Sequence, residues 1–283
     1  SLLDRIELDP ETGKRKLVGN ISESEWGALQ EALKSLGGPV DSSKDVSGLE
    51  EIKSPEKGGP KAPHVSVSKI NKSALEKTEP EDSDVILCLD FGTARSKAFA
   101  TQSDEESMAR YLELGLGARA GESDLTYPVT SSLWIDENSR IYFGKEAVSR
   151  SLQSKEGRKR LDSLKQALSQ GQKGDLDEVP LEDGMNPTSI RLCEGHVIVL
   201  YLSYLTDLAV SELAERHHKS RYVSRRFALP CWDEERRVWG EGILKKYLAM
   251  AQIIGDTFHD KWKEGIDIET ARNAIEEVKS LGK

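Results

Sequence analysis

The chain has 283 residues, a formal net charge of −9 and a charged fraction of 31%. This acidic balance argues against nucleic-acid binding as the main role, because that role usually needs a dense basic face. No apolar run approaches the roughly 20 residues that a membrane span needs. The three cysteines are far apart in sequence, without metal-ligand spacing, and their odd number suits a reducing cytoplasm.

The first 83 residues are polar, with one aromatic residue, Trp26, and six of the ten prolines. Residues 21–36 carry apolar side chains on one helical face and predict a short helix. We interpret it as a docking helix or part of a further domain, with a specific partner-binding helix as the alternative. Residues 40–84 have too few apolar side chains to offset their ordering entropy and predict a flexible linker. We therefore expect a mostly disordered arm over residues 1–83.

The predicted globular part, residues 84–283, begins with a cluster of strands. VILCLD at residues 85–90 is a continuous apolar run, which is typical of a strand buried on both faces. A returning strand is expected over 96–102 and a third over 109–116. Residues 133–143 predict a hairpin whose turn is Asp-Glu-Asn-Ser.

Helices dominate the rest of the chain. The predicted helices cover residues 144–153, 158–169, 196–218, 233–256 and 267–281, with a strand over 222–229. Asp233 is expected to cap the fourth helix, and a Gly- and acid-rich loop is expected over 170–187. Strand–helix alternation of this kind predicts an α/β layer structure.

The motif with the clearest chemistry is Asp90-Phe-Gly-Thr-Ala-Arg-Ser-Lys97, which joins two predicted strands. A tight turn containing Gly92 and Thr93 can present backbone N–H groups and a hydroxyl to anionic oxygens. Asp90 would repel a phosphate unless a cation lay between them, so we expect it to hold Mg²⁺, through water. The alternative is an ordinary hairpin in which Asp90 caps the turn.

VILCLDFGTARSKAFA resembles the first phosphate loop of the actin-like ATPase superfamily, which includes actin, sugar kinases and the seventy-kilodalton heat-shock chaperones. Other segments resemble the chaperone branch in the same order. They are YPVTSSLW at 127–134, RIYFGKEA at 140–147, SLKQ at 163–166 and RRFALPCWDEERR at 225–237. The similarity spans residues 84–256 and implies a ribonuclease-H-like lobe with a mixed sheet and flanking helices.

The resemblance also implies roles for individual residues. Asp90 would organise Mg²⁺, and Lys165 would be a catalytic lysine that reaches the γ-phosphate. The phosphate-binding residues would be Gly92, Thr93, Ala94 and Arg95. Read from the residues alone, Lys165 fits an exposed helical lysine equally well. Pro230 would be a coupling turn, or simply a strand-ending proline.

The sequence departs from the family at several points. Arg95 and Ser96 replace the usual pair, and no second phosphate loop or adenosine motif follows. We therefore expect a fragment that binds ATP weakly and is inactive alone. It would belong to an ATP-hydrolysing conformational-switch protein whose partners are clients or co-chaperones. The alternatives are a sugar or small-acid kinase, a non-catalytic scaffold, or an actin-like filament protein.

Overall fold

The structure is a computed structural model, and it divides the chain into two units, residues 1–60 and 61–283. It describes the backbone of 6–8 and 15–17, and residues 70–103, 109–117, 128–154, 159–170, 174–182, 184–229 and 232–282. In the first unit, strands β1 (Ile6–Leu8) and β2 (Arg15–Leu17) form an antiparallel pair. The predicted helix at 21–36 lies outside the described residues.

The main sheet of the second unit is mixed. Strands β3 (Val85–Asp90), β4 (Arg95–Ser103) and β5 (Ala109–Glu113) are consecutive and antiparallel. Strand β10 (Ser224–Phe227) lies parallel to β3 on its other side, which gives the order β10-β3-β4-β5. Residues of β3 and β4 alternate between buried and more exposed positions, so the sheet has one core face and one more open face. The predicted strands at 85–90 and 96–102 are thus confirmed, but the prediction that 85–90 is buried on both faces is wrong, because alternate residues of β3 are only partly buried on the more open face.

A second sheet has the order β11-β8-β7-β9. Its centre is the predicted hairpin, formed by β7 (Ser132–Ile135) and β8 (Arg140–Phe143). The turn between them is held by Asp136, whose Oδ1 accepts hydrogen bonds from the backbone N–H groups of Asn138 and Arg140 at 2.9 and 2.8 Å. The flanking strands are β9 (Leu161–Asp162) and β11 (Ile266–Asp267), and a short strand β6 (Val129–Thr130) pairs with β4.

The helices pack against these sheets. They are α1 (Gly144–Gln153), α2 (Gln166–Gln170), α3 (Glu194–His217), α4 (Glu234–Thr257) and α5 (Ile268–Leu281). Asp233 caps α4 as predicted, because its side chain accepts a hydrogen bond from the backbone N–H of Arg236. Helix α3 is long and apolar enough to cross a membrane, but 72% of that apolar stretch is buried in the fold. Such burial is typical of a core helix in a soluble protein.

Two predictions about chain organisation need correction. The helix predicted over 158–169 is replaced by β9, a turn with Ser163 at φ 59°, and the short α2. Leu161 pairs with Leu133 in the second sheet, so tertiary pairing overrides the local helical pattern. The linker predicted up to residue 84 also overlaps the second unit. Ile70 is buried in its core, and the backbone N–H of Asn71 donates to Thr257 Oγ1 at 2.9 Å.

Candidate functional site

The turn between β3 and β4 is where the predicted phosphate-binding residues lie. Asp90 is the last residue of β3 and faces Lys97 across the antiparallel register, on the more open side of the sheet. Thr93, Ala94 and Arg95 are exposed, whereas Phe91 is fully buried. The turn therefore presents a hydroxyl and a guanidinium to solvent beside a carboxylate at the end of a strand.

Gly92 is required by the shape of this turn. A Cβ atom at this position would lie 1.9 Å from the backbone carbonyl oxygen of Arg95, which is closer than any side chain allows. The backbone at Gly92 and the backbone at Arg95 therefore approach each other directly. This close approach explains, in physical terms, why the motif has glycine at its third position.

A buried set of hydroxyl groups supports the turn from the core side. Ser131 donates from Oγ to the carbonyl of Gly92 at 2.9 Å, and its backbone N–H donates to the carbonyl of Ala94 at 3.0 Å. Ser96 Oγ lies 2.9 Å from Ser131 Oγ, and Tyr201 OH lies 3.2 Å from Ser96 Oγ. Burial raises the pKa of Tyr201, so the phenol stays protonated and can donate. The turn is thus fixed at two of its carbonyls.

Sequence reasoning did not single out Ser131 or Tyr201. They lie 35 and 105 residues from Ser96, their common partner, and no local pattern links them. The signal that was present is weak: a serine pair inside an otherwise apolar strand segment, and a tyrosine among the apolar residues of α3. Tyr201 also makes an apolar contact with the turn, because the ring centroid of Phe91 lies 5.6 Å from that of Tyr201.

Lys165 comes close to the same turn from a different part of the chain. It lies immediately before α2, and its Nζ is 6.0 Å from the centroid of the Phe91 ring. Burial lowers the pKa of Lys165, and the carboxylate of Asp90 acts in the opposite direction. The structure therefore brings Lys165 and Asp90, two residues 75 positions apart in sequence (165 − 90), within electrostatic range of each other.

Chemically, this arrangement can hold an anion together with a cation. Arg95 and Lys97 are exposed on the same turn and strand as Asp90, Lys97 lies opposite Asp90 in the sheet register, and Lys165 is within electrostatic range of the Asp90 carboxylate. A phosphate group would be attracted by the basic groups, and a hydrated Mg²⁺ would separate it from the carboxylate. Pro230, the predicted coupling turn, lies outside the described residues.

Comparisons with protein-family models and with curated proteins found no match.

Proposed function

We propose that the β3–β4 turn binds the phosphates of ATP with Mg²⁺, and that residues 84–283 form the first lobe of a ribonuclease-H-like, heat-shock-like ATPase. The observation that carries this proposal is the convergence of Lys165 on the Asp90 turn. The strand order β10-β3-β4-β5, with β10 parallel to β3, is compatible with such a lobe. Because no matching family supports it, the proposal depends on the geometry of the site and on the sequence resemblance.

In the proposed site, Asp90 orients the water shell of Mg²⁺, and the turn residues 92–95 donate to the β- and γ-phosphates. Lys165 supplies positive charge to the γ-phosphate, where negative charge must be stabilised during phosphoryl transfer. The full activity would be a nucleotide-driven conformational switch in the cytoplasm, with client or co-chaperone proteins as partners. A single lobe gives one side of a nucleotide cleft, so we expect weak binding by this chain.

The test is a titration of the 283-residue protein with Mg²⁺–ATP, followed by NMR of the backbone amides. Residues 92–95 should shift first, even if affinity is only millimolar. Lys165→Ala should weaken binding by about tenfold, equivalent to about 1.4 kcal/mol, because a charge-assisted contact is lost. Lys145→Ala is the matched control, since Lys145 is an exposed lysine on α1.

The same titration distinguishes the alternatives. If the chemical-shift changes caused by nucleotide become larger when a sugar is added, the kinase alternative is favoured. An absence of shifts at residues 92–95 at any nucleotide concentration would contradict the proposal and favour a scaffold. Equal effects of Lys165→Ala and Lys145→Ala would contradict the role of Lys165.

A further inference from the structure

A second group of polar side chains lies where the segment 174–193 meets the beginning of α3. Asp177, Cys193 and His196 each offer one metal-ligand atom there, and these atoms all lie within 4.8 Å of one another. Cys193 and His196 are buried, and Asp177 is partly buried. None of these residues belongs to the β3–β4 turn.

The backbone brings the segment tightly onto the helix. The N–H groups of Glu194 and Gly195 donate to the carbonyls of Val179 and Leu176, each at 2.9 Å. A Cβ atom at position 195 would lie only 2.2 Å from Asp177 Oδ1, so glycine is what lets the carboxylate approach the helix. Asp177 is therefore held against the first turn of α3 by the shape of the main chain.

Cys193 is the N-cap of α3, and its Sγ accepts a hydrogen bond from the backbone N–H of His196 at 3.4 Å. The start of a helix favours negative charge, which assists a thiolate. Burial acts more strongly and raises the pKa of the thiol.

The imidazole of His196 has hydrogen-bond partners at only one of its two ring nitrogens among the described residues. Its Nδ1 is buried and has no hydrogen-bond partner among the described residues, although an unsatisfied buried polar atom costs about 1–3 kcal/mol. Its Nε2 lies 3.3 Å from Glu276 Oε1 and 3.2 Å from Lys279 Nζ. These two contacts require opposite tautomers. If Nε2 donates to Glu276, Nδ1 keeps a lone pair, as in a metal-binding histidine held by an outer carboxylate.

Lys279 places a positive charge inside the group. Its Nζ lies 3.1 Å from Asp177 Oδ2, 3.1 Å from Glu276 Oε1 and 3.2 Å from His196 Nε2. An ammonium with these three neighbours occupies a position suited to a cation. A metal ion would compete with it for Asp177, and the contact of Lys279 with Nε2 favours the tautomer that places the proton on Nδ1, where the metal would bind.

We propose that Asp177, Cys193 and His196 form a Zn²⁺ site that binds segment 174–193 to α3, with Lys279 as a built-in competitor. Thiolate, imidazole and carboxylate together are typical zinc ligands. Zinc bonds of about 2.0–2.3 Å place ligand atoms roughly 3.3–3.8 Å apart, so atoms that now lie within 4.8 Å of one another need to close by about 1.5 Å at most. Metal binding releases the thiol proton to solvent.

The test uses Co²⁺ as a spectroscopic substitute for Zn²⁺, in protein carrying Cys88→Ser and Cys231→Ser so that Cys193 is the single thiol. One equivalent should give a thiolate-to-cobalt charge-transfer band, which Zn²⁺ should displace. Cys193→Ser should abolish the band, and His196→Ala should weaken binding at least tenfold. Lys279→Met should bind Co²⁺ about tenfold more tightly, because it removes the ammonium that contacts both Asp177 and His196 and leaves Lys246, 3.2 Å from Asp177 Oδ2, in place.

Absence of the band in the single-thiol protein would overturn the proposal. So would Lys279→Met binding Co²⁺ no better than its parent. Lys245→Met is the matched control for that gain, since Lys245 is an exposed lysine on α4 whose carboxylate partner is Glu241, outside the group. If Cys193→Ser or His196→Ala fails to fold, the tighter Co²⁺ binding expected of Lys279→Met still tests the proposal.

Discussion

At the scale of single residues, Gly92 is the position in the β3–β4 turn where the backbone leaves no space for a side chain. We expect Gly92→Ala to lower the free energy of unfolding by about 1–3 kcal/mol, because the added methyl group meets the Arg95 carbonyl. Gly242→Ala is the matched control. Gly242 lies on the exposed side of α4 with open space at its Cβ position, so alanine should stabilise by about 0.5–1 kcal/mol. Urea denaturation measures both, and a neutral Gly92→Ala would contradict the close approach.

Lys165 gives the proposed phosphate site a pH dependence. Its folded-state pKa is below 10.5, so the ammonium is lost at a lower pH than in an ordinary lysine. In that window the unfolded chain binds more protons, so stability rises with pH while phosphate affinity falls. We expect the affinity for a fluorescent ATP analogue to decline with rising pH, beginning at a lower pH than for an ordinary lysine, and Lys165→Arg to remove the decline because guanidinium stays charged.

Fluorescence anisotropy at several pH values measures this affinity. The control is Lys145→Arg, which should leave the decline unchanged. A decline that persists in Lys165→Arg would show that another group titrates. No binding of the analogue at any pH would instead contradict the proposed function itself.

The positions that the sequence predicts well are those set by a local pattern. The placement of Asp90 and Gly92 at a turn between two strands follows from an apolar run and a short turn motif. The hydroxyl groups of Ser131 and Tyr201 could not be predicted in this way, because hydrogen bonds over such separations depend on how the sheet packs on α3. The proposed zinc ligands could not be predicted for a related reason. Asp177 is 16 residues from Cys193 in sequence (193 − 177), and the group contains one cysteine, so no cysteine spacing marks it.

At the scale of elements, the β3–β4 turn is coupled to helix α3 through hydroxyl groups. Ser131→Ala should lower the free energy of unfolding by about 1–3 kcal/mol, because the partly buried carbonyl of Gly92 loses its donor. Tyr201→Phe should cost about 1 kcal/mol, since it removes the phenol near Ser96 and the Thr130 carbonyl, which lies 3.1 Å away. The double variant should show a coupling energy of at least about 0.5 kcal/mol.

Chemical denaturation of the two single variants and the double variant gives that coupling. Ser149→Ala, on the exposed side of α1, should change stability by no more than about 0.5 kcal/mol and serves as the control. Strictly additive effects of Ser131→Ala and Tyr201→Phe would contradict a connected network and reduce the turn to two independent contacts.

The predicted helices and strands also show which elements cannot be predicted from a local sequence pattern. Long helices with capping residues, such as α4 after Asp233, are predicted to within a residue or two because their signals are local. The helix predicted over residues 158–169 was wrong because a two-residue strand, β9, is defined by its partner strand and not by its own sequence. A short edge strand is formed by pairing with a neighbouring strand of the sheet. Two residues are too few to show a hydrophobic periodicity, so such a strand cannot be predicted from its own sequence.

For the whole molecule, α3, α4 and β10 are joined by a buried charge network. Asp207 on α3 is 3% exposed and contacts the guanidinium of Arg221, the Nδ1 of His259 at 3.0 Å and the Nε1 of Trp262 at 3.0 Å. Asp256 on α4 contacts Arg221 at 3.2 Å. Arg225 on β10 lies beside this network, and burial lowers its pKa to about 10.

We expect Asp207→Asn to lower the free energy of unfolding by about 3–5 kcal/mol, because the partly buried Arg221 loses one of its two carboxylate partners and must share Asp256 with Arg225 beside it. Glu241→Gln is the control. Its pair with Lys245 on the surface of α4, at 3.2 Å, should be worth no more than about 0.5 kcal/mol. Thermal and urea unfolding of both variants, each compared with the parent protein, measure the difference. A loss below about 1 kcal/mol for Asp207→Asn would mean that Asp256 alone neutralises both arginines, and that α3 and α4 are held together by apolar packing.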